Sequence, residues 1–356
     1  MSRPWLSVIM PTYNGAEYLP QALACLRNCS PGMELVAIDD GSTDATVDLL
    51  EQYGRDHPLQ LIRLGHGGNW VANSNHGLSA SRGEYSCFLH QDDTWLPGRL
   101  GILHSLITRY PEAALFVHPA WFIGPSGERL GPWRCPFPDA HQFLPAEMVL
   151  RKLLVQNCFA MPAPLFRCRD AVEMGGMDEQ LWYTADWDLW LRLAAKGGAI
   201  YHPEPLAAFR LHSQSQTAKR TSDMKELRRQ LETVLDRHLR GFQNNSQFAV
   251  TASAARLSVE CNLWLAACHS RQTMSPIPLI RAAIAAGPAG FTRYLRDSQI
   301  VERTVARLRL SRPGNRLAAD FFDHRRQLGM PIRSQFRTDA NVPRITLSRI
   351  CSAAGD

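Results

Sequence analysis

Four short apolar segments alternate with more polar, helix-like segments over the first hundred residues of the chain. The apolar segments are residues 6–10, 34–39, 59–64 and 85–90. Continuous apolar strands that alternate with helices are typical of a parallel sheet covered by helices on both faces. We therefore predict an α/β fold built on a Rossmann-like, mostly parallel sheet.

Helix signals lie between and after these strands. Ser42 or Thr43 is the predicted N-cap of the second helix, because a hydroxyl at that position accepts a hydrogen bond from the first turn. Pro97 suits the first turn of a later helix. The predicted helices are 17–28, 43–54, about 70–82, 97–109, 146–155 and one that starts near Asp186 and ends at Gly197-Gly198, and a further apolar run covers 114–123.

Polar clusters follow three of the predicted strands. They are Pro11-Thr12-Tyr13-Asn14, Asp39-Asp40-Gly41-Ser42 and Gln91-Asp92-Asp93. Because ligands of open α/β sheets bind beyond the carboxyl ends of the strands, we expect the clusters to meet at one rim. Two adjacent carboxylates about 4 Å apart repel by roughly 4 kcal/mol near a protein surface. Asp92 and Asp93 therefore indicate either a solvated turn or a site for a divalent cation or a polyol.

The composition is that of a folded protein, with 45% hydrophobic and 20% charged residues. No apolar run approaches the roughly 20 residues that span a bilayer, and the first residues lack a signal-peptide pattern, so we expect a cytoplasmic protein. The net charge of +6 is unevenly divided. Residues 1–214 carry 16 basic and 22 acidic side chains, whereas residues 215–356 carry 23 and 11.

The chain is therefore predicted to divide into residues 1–216 and a basic, mainly helical region, 217–356. Within the second region, helices are predicted at 224–242, 249–269 and 278–310. The first is amphipathic, with Leu227, Leu231, Leu235 and Leu239 at four-residue intervals. Two interpretations of the region stay open: attachment to the anionic inner face of a membrane, or packing on the first domain or in a homodimer.

Five blocks of the sequence resemble the family 2 glycosyltransferases, which have a GT-A fold. The blocks are LSVIMPTYNGAEYLPQALACL, ELVAIDDGSTDAT, NWVANSNHGLSASRGEYSCFLHQDD, PLFRCRDAVEMGGMDEQLWYTADWDLWLRLAAKGG and FRLHSQSQT, in order over roughly residues 5–216. The resemblance implies an inverting transfer of sugar from a nucleoside-diphosphate donor, a UDP- or dTDP-sugar. The acceptor would be a hydroxyl of a glycan or a lipid-linked molecule, in polysaccharide or cell-surface glycan synthesis.

The resemblance also implies a nucleobase pocket at the ends of the first two strands. The residues that match the donor-binding positions of the family are Pro11, Thr12, Tyr13, Asp39, Asp40, Asn75 and Asp92. Tyr13 would pack against the base, and Pro11 and Thr12 would shape the pocket. Asp40 or Asp39 would accept a hydrogen bond from a base N–H, because an ionised carboxylate can only accept.

The DxD-type motif of the family matches the cluster after the fourth strand. Asp93 would ligate Mn²⁺ or Mg²⁺, while Asp92 would meet the ribose hydroxyls or the metal shell. His212 would be a further metal ligand or a diphosphate contact. Both cations prefer oxygen ligands and stabilise the charge of a departing nucleoside diphosphate. Such a cation would also remove the repulsion between the two carboxylates.

Asp186 matches the general base of the family, which takes the proton of the acceptor hydroxyl on the face of the sugar opposite the diphosphate. Asp188, two residues later, would point to a different helix face and is the alternative base or an acceptor contact. Trp182 and Trp187 would border the acceptor sugar or pack in the core.

Three positions depart from the family pattern: many relatives carry Asp at His90 and Asn at His66, and others carry Arg at Ser74. These departures concern the metal shell and the diphosphate charge. The backbone N–H groups of residues 66–69 could still approach the diphosphate.

Three other functions fit parts of the sequence. A nucleotidyltransferase that makes the donor would usually have a Gly-rich phosphate loop after the first strand, where this chain has PTYNGAEYL. A nucleic-acid-binding protein could use the basic region, but no recognition motif is evident and the acidic rim would repel phosphates, so we expect no nucleic acid. The third is a relative that binds a sugar nucleotide without turning it over.

Overall fold

The computed structural model describes residues 3–27, 32–212, 214–215, 223–242, 246–270 and 272–309. The strands are β1 (Leu6–Thr12), β2 (Met33–Asp39), β3 (Leu59–Arg63), β4 (Tyr85–Phe88), β5 (Thr94–Trp95), β6 (Leu115–Val117), β7 (Ala120–Ile123), β8 (Arg129–Trp133), β9 (Gln142–Leu144), β10 (Leu165–Arg167), β11 (Ala199–Tyr201) and β12 (Ala207–Arg210). The helices are α1 (Leu19–Ala24), α2 (Thr46–Gly54), α3 (Trp70–Ala80), α4 (Arg99–Arg109), α5 (Ala146–Val155), α6 (Cys168–Glu173), α7 (Ala185–Gly197), α8 (Met224–Leu239), α9 (Ser246–His269), α10 (Ile277–Asp297) and α11 (Ile300–Leu308).

The main sheet has eight strands in the order β3-β2-β1-β4-β10-β6-β11-β9. Strands β3, β2, β1 and β4 are parallel to one another, whereas β10 runs antiparallel to both of its neighbours. The carboxyl ends of β1, β2 and β4 therefore lie at one edge. A smaller sheet, in the order β5-β12-β7-β8, joins the turn after β4 to the end of β12.

Side chains of β1 point alternately to the two faces of the sheet. Leu6, Val8 and Met10 pack with residues of α1, α2 and α4, whereas Ile9 packs with residues of α3, α5 and α7. All four side chains are fully buried. Burial on both faces explains the continuous apolar strands, and the predicted α/β sheet flanked by helices is confirmed.

The predicted N-cap of α2 is wrong. The helix begins at Thr46, and the carboxylate of Asp44 accepts a hydrogen bond from the Thr46 backbone N–H. Ser42 instead donates its hydroxyl to Asp39. Ser42, close to the end of the strand, thus stabilises the turn, and Asp44 stabilises the start of the helix. The apolar run 114–123 is not one continuous strand. It forms two strands, β6 and β7, which are separated by His118 and Pro119.

The C-terminal helices share a hydrophobic core with the first domain. Leu227, Leu231 and Leu235 of α8 are buried in the same cluster as residues of α5 and α7, as the four-residue spacing predicts. Helix α11 packs against β8, and a Cβ at Gly131 would lie 3.6 Å from that of Ala306. The predicted helix 278–310 is divided into α10 and α11. Residues 310–356 lie outside the described residues.

No helix within the described ranges is both long enough and apolar enough to cross a membrane.

Candidate active site

The first strand-end acid, Asp39, holds the turn that follows β2. Its carboxylate accepts hydrogen bonds from the backbone N–H of Ser42 at 2.9 Å and from the hydroxyls of Ser42 and Thr12. Thr12 and Pro11 are buried at the end of β1. These three residues build the floor of the rim, and their predicted contact with a donor stays a prediction.

The second acid, Asp40, binds the loop that precedes α3. It accepts hydrogen bonds from the backbone N–H groups of Gly67 and Gly68 at 2.8 and 2.9 Å, and its Oδ2 lies 3.0 Å from Nδ1 of His66. Burial alone would raise the pKa of Asp40, but these donors outweigh it and the pKa is lowered. Asp40 is therefore an ionised acceptor, and two of the loop N–H groups that were candidates for the diphosphate are directed at it.

Tyr13 lies above this acceptor with its ring half-exposed. The ring stacks on His66 with 4.1 Å between centroids and 15° between planes. The Tyr13 backbone pairs with the amide of Gln91, which accepts from the Tyr13 N–H at 2.9 Å and donates to its carbonyl at 3.0 Å. Gly41 allows the loop to approach, because a Cβ there would lie 3.0 Å from the His66 nitrogen. The ends of β1, β2 and β4 thus meet at one rim.

The two adjacent acids after β4 differ in their partners. Asp93 is 1% exposed, and its Oδ1 accepts from the backbone N–H of Arg210 at 2.9 Å. Oδ2 of Asp92 lies 2.8 Å from Nε2 of His212. Burial and then the charge of Asp92 raise the pKa of Asp93 well above its usual value. Burial acts to raise the pKa of Asp92, but the hydrogen bond with His212 and the electrostatic effects of His90 and His212 together outweigh it and lower the pKa. Without a cation, a proton on Asp93 relieves the repulsion.

His90 joins these acids in a cluster with the geometry of a metal site. One ligand atom each from His90, Asp92 and Asp93 lies within 4.8 Å of the others. Nε2 of His90, Oδ2 of Asp93 and Nδ1 of His212 are buried and have no hydrogen-bond partner among the described residues. Burial lowers the pKa of His90, so its ring is neutral, which is the form that binds metal. Buried polar atoms left unpaired are costly, and a divalent cation in the cluster would satisfy those of His90 and Asp93.

The sequence predicted His212 as a ligand and noted His90 only as a departure from the family. In the structure His90 belongs to the cluster, and His212 contacts it through Asp92. A neutral imidazole, like the carboxylates beside it, is a group that can ligate a divalent cation. The spacing of His90 from the two acids, in HQDD, is the signal that could have identified it.

Arg210 is a buried cation that sequence reasoning missed. It is 1% exposed and donates to the backbone carbonyls of Asp92 at 2.8 Å and of Gly124 and Pro125 at 3.0 Å. A further guanidinium N–H reaches the side chain of Gln21 at 2.8 Å. One side chain therefore fixes the acidic turn against α1, the smaller sheet and β12. Its place two residues before His212 in FRLH was the available signal.

The predicted base, Asp186, lies in the first turn of α7 and is half-buried. Its Oδ2 accepts from the side-chain amide of Asn157 at 2.9 Å, and its Oδ1 accepts from the backbone N–H of Trp187 at 2.7 Å. Burial raises the pKa of Asp186 to about 6. A carboxylate with a pKa near the working pH is suited to proton transfer.

Asp188 lies two residues later in an opposite environment. It is fully buried and accepts from Arg192 at 2.8 Å and from Arg237 at 2.9 Å, with Nε2 of His238 also at 2.9 Å. Burial would raise its pKa, but His238 and the two arginines outweigh it and lower the pKa to about 2. Asp188 thus ties α8 to α7 and faces away from Asp186, as predicted. Its role as a base or acceptor contact stays a prediction, and these bonds would have to open first.

Trp70 connects the cluster of His90, Asp92 and Asp93 to the segment that leads into α7. Its indole N–H donates to the carbonyl of Trp182 at 2.8 Å, and its ring lies edge-on to His90 with 5.2 Å between centroids. Asn69, the N-cap of α3, positions it by accepting from the N–H groups of the first turn. The loop bound by Asp40 leads directly into this residue. The segment from residue 66 to residue 70 therefore connects Asp40, the pair Asp92 and Asp93, and the segment that leads to Asp186.

The remaining predicted residues surround this segment. Trp187 is buried and donates to the carbonyl of Leu153 at 2.7 Å, so it packs in the core, one of the two interpretations left open. Trp182 is half-exposed. Asn75 on α3 binds both backbone groups of Met177 at 2.8 Å and so holds the loop that leads to α7. Donor or acceptor contacts by these side chains stay predictions.

Comparison with known proteins agrees with this geometry. Residues 7–164 match the family model for glycosyl transferase family 2. An uncharacterised glycosyltransferase of Rickettsia typhi is 25% identical over 240 residues, which cover 63% of this chain and 69% of that protein. A putative teichuronic acid biosynthesis glycosyltransferase, TuaG of Bacillus subtilis, is 33% identical over 100 residues, covering 28% of this chain and 40% of that one.

Among solved structures, S. aureus TarS 1–349 in complex with UDP-GlcNAc superimposes with a TM-score of 0.53 at 16% identity. The match covers 84% of this chain and 90% of that one. At this identity the likeness concerns the fold, and it extends well beyond the segment that the family model matches. Residues 7–164, fewer than half of the chain, thus resemble glycosyl transferase family 2. The matches support a transferase, and the chain has the GT-A fold.

Proposed function

We propose that the chain is an inverting glycosyltransferase that uses a nucleoside-diphosphate sugar, a UDP- or dTDP-sugar, in polysaccharide or cell-surface glycan synthesis. The acceptor is a hydroxyl of a glycan or of a lipid-linked molecule. The observation that carries the proposal is the cluster of His90, Asp92 and Asp93, joined through Trp70 to the segment that ends at Asp186. TarS, crystallised with UDP-GlcNAc, supports the uridine donor, and TuaG, named for teichuronic acid biosynthesis, supports the pathway class.

The donor nucleotide is proposed to lie on the rim formed by β1 and β2. Tyr13 is exposed enough to stack on a base, and its ring already stacks on one planar group, the imidazole of His66. Asp40 is ionised and therefore suited to accept a base N–H. Because Asp40 also holds Gly67 and Gly68, base binding and the position of the loop before α3 would be coupled.

The diphosphate is proposed to reach the cluster after β4, where His90, Asp92 and Asp93 would hold Mn²⁺ or Mg²⁺. Such a cation supplies Lewis-acid stabilisation of the charge on the leaving nucleoside diphosphate. His212 keeps Asp92 in place, and Arg210 fixes the turn that carries both acids. The chain thus contributes a preformed ligand set, and its orphaned atoms indicate that the set is incomplete without a ligand.

Asp186 is proposed to take the proton of the acceptor hydroxyl. As the acceptor oxygen forms its bond to the anomeric carbon, the bond from that carbon to the diphosphate oxygen breaks and the electron pair leaves with the nucleotide. The hydroxyl proton moves to the carboxylate of Asp186, whose raised pKa favours its acceptance. Asn157 orients the carboxylate through Oδ2, so it acts on the base rather than on the sugar.

For residues 217–356 the sequence leaves two partners open, the inner face of a membrane and a second copy of the chain. Helix α8 of that region packs on the first domain through Leu227, Leu231 and Leu235, while a lipid-linked acceptor would favour the membrane. We therefore propose a cytoplasmic enzyme that works at the membrane face.

A donor screen tests the proposed function. The purified chain is incubated with a panel of UDP-, dTDP- and GDP-sugars, with Mn²⁺ or with EDTA, and thermal shift and release of nucleoside diphosphate are measured. We expect one UDP- or dTDP-sugar to stabilise the chain. We expect nucleoside diphosphate to be released from that donor only when the cation is present. Asp56→Asn, an acid-to-amide change at an exposed position, is the matched control and should behave as wild type. Release of pyrophosphate from a nucleoside triphosphate and a sugar phosphate would instead favour the nucleotidyltransferase, and binding without turnover by any acceptor would favour the non-catalytic relative.

A further inference from the structure

Helix α10 carries a stripe of exposed apolar side chains. Its members are Ile277, Ile280, Ile284, Phe291 and Leu295, with exposures from 45% to 76%. They are half of the ten large hydrophobic side chains exposed in the described part of the chain. Exposed apolar side chains grouped on one element commonly mark an interaction site.

The stripe follows the helical period. The helix is broken at Gly287, where φ is 57° and ψ is −176°, directly before Pro288. In the first half the exposed isoleucines are three and four residues apart, and in the second half the exposed pair is four apart, so each half presents one apolar face. The buried face is a different one: Ala286 and Tyr294 pack with residues of α9, and a Cβ at Gly290 would meet Ser253. The stripe therefore remains after α10 has packed on the protein.

The charges exposed on α10 are cationic. Arg281 is exposed, and the Arg296 side chain is 61% exposed. Asp297 is the only acid in the helix, and it is fully buried, paired with Lys152 at 3.2 Å, Arg296 at 2.9 Å and Arg293 at 3.8 Å. The helix thus presents apolar and positive groups to solvent together.

An open cavity of about 440 Å³ lies on the second half of the helix. Its walls are formed by Val250, Pro288, Ala289, Thr292, Arg293 and Arg296. Two guanidinium groups in one depression suit a phosphate, because the planar fork of arginine binds phosphate oxygens in pairs.

We infer that α10 is a docking surface for a membrane of anionic phospholipid. The apolar stripe enters the boundary of the acyl chains, while Arg281, Arg293 and Arg296 meet the phosphate head groups. Amphipathic helices with apolar residues on one side and arginines beside them lie in this way in the membrane interface. A second copy fits less well, since a symmetric contact would bring two cationic helices together with no exposed acid on either.

Flotation of the full-length chain with lipid vesicles tests the inference. Vesicles of phosphatidylcholine with phosphatidylglycerol are compared with vesicles of phosphatidylcholine alone. We expect binding to the anionic vesicles, weakened by salt, and a fall of more than about tenfold in the partition coefficient of Ile280→Glu/Ile284→Glu. Val172→Glu, the same type of change at a 48% exposed position of α6, should bind as wild type. Arg281→Gln should lower the preference for anionic vesicles by about fivefold, the value of one interfacial charge.

Equal flotation of wild type and of the double variant would overturn the inference. So would a mass measurement by light scattering that finds a wild-type dimer and a monomeric double variant, because the stripe would then be covered by a second copy. Unchanged melting temperatures and unchanged nucleoside-diphosphate release with a soluble acceptor show that the variants are folded. The flotation result does not depend on turnover, so its failure is distinct from failure of the proposed transfer.

Discussion

The rim at the strand ends and the start of α7 hold their carboxylates in different ways. At the rim, Asp39 and Asp40 accept hydrogen bonds mainly from backbone N–H groups and nearby hydroxyls. At α7, Asp186 and Asp188 are held by side chains from α8 and from the segment after α5. The first arrangement depends on backbone and hydroxyl donors, and the second on charged or amide side chains from other elements.

The two acids of α7 show what this difference means for chemistry. Asp186 and Asp188 are two residues apart, yet burial raises the pKa of the first to about 6, whereas His238 and two arginines overcome burial and lower the pKa of the second to about 2. One carboxylate is close to its neutral form and the other is firmly ionised. Their partners, rather than their sequence positions, make Asp186 suited to the proposed proton transfer and make Asp188 an attachment point for α8.

The largest expected effect is on turnover. Asp186→Asn should lower kcat by about 10²- to 10⁴-fold, because it removes the proposed base. Its melting temperature at neutral pH should not fall, since the folded state no longer contains a desolvated ionised carboxylate. Kinetics and calorimetry on the same preparation measure both, with Asp56→Asn as control. Wild-type turnover by Asp186→Asn would refute the assignment.

The second prediction concerns stability. Asp188→Asn should lower the free energy of unfolding by about 3 kcal/mol, because Arg192 and His238 would lose a buried anion while the half-exposed Arg237 could turn to water. Urea unfolding measures the change. If stability is unchanged and transfer is lost, Asp188 rather than Asp186 performs the chemistry and the comparison fails.

The third prediction concerns the acidic turn after β4. His212→Ala should weaken Mn²⁺ binding by about 10- to 100-fold, because the ring that orients Asp92 is removed. His76→Ala, at an exposed position of α3, is the matched control. Titration of Mn²⁺ in the presence of donor measures the affinities, and an equal affinity in both variants would exclude a role of His212 at the cluster.

The smallest effect is the dependence of the rate on pH. The base must be ionised, so kcat/KM should rise about tenfold per pH unit below about 6 and level off above it. The sign follows from the raised pKa, which leaves the carboxylate protonated in mild acid. A rate profile with its lower break near 4 would mean that Asp186 has an ordinary pKa in the working enzyme.

The contrast between the two regions also explains how far the sequence could predict the molecule. The strands of the parallel half and the acids at their ends are apparent from local patterns, and the structure brings those acids to one rim. Arg210, Asn157 and Trp70 act across long separations in the chain, with partners that no spacing reveals. Ser42 shows the same limit, because its hydroxyl accepts from the distant Asn14 backbone N–H and donates to Asp39, so it does not serve as the predicted helix cap.

The most direct test of the central claim is calorimetric titration of the selected sugar nucleotide into three proteins, wild type, Asp93→Ala and Asp186→Asn, with Mn²⁺ and with EDTA. The account predicts that wild type and Asp186→Asn bind the sugar nucleotide more strongly with the cation than with EDTA. For Asp93→Ala it predicts no such dependence on the cation. Cation-dependent binding of equal strength in all three proteins would contradict it.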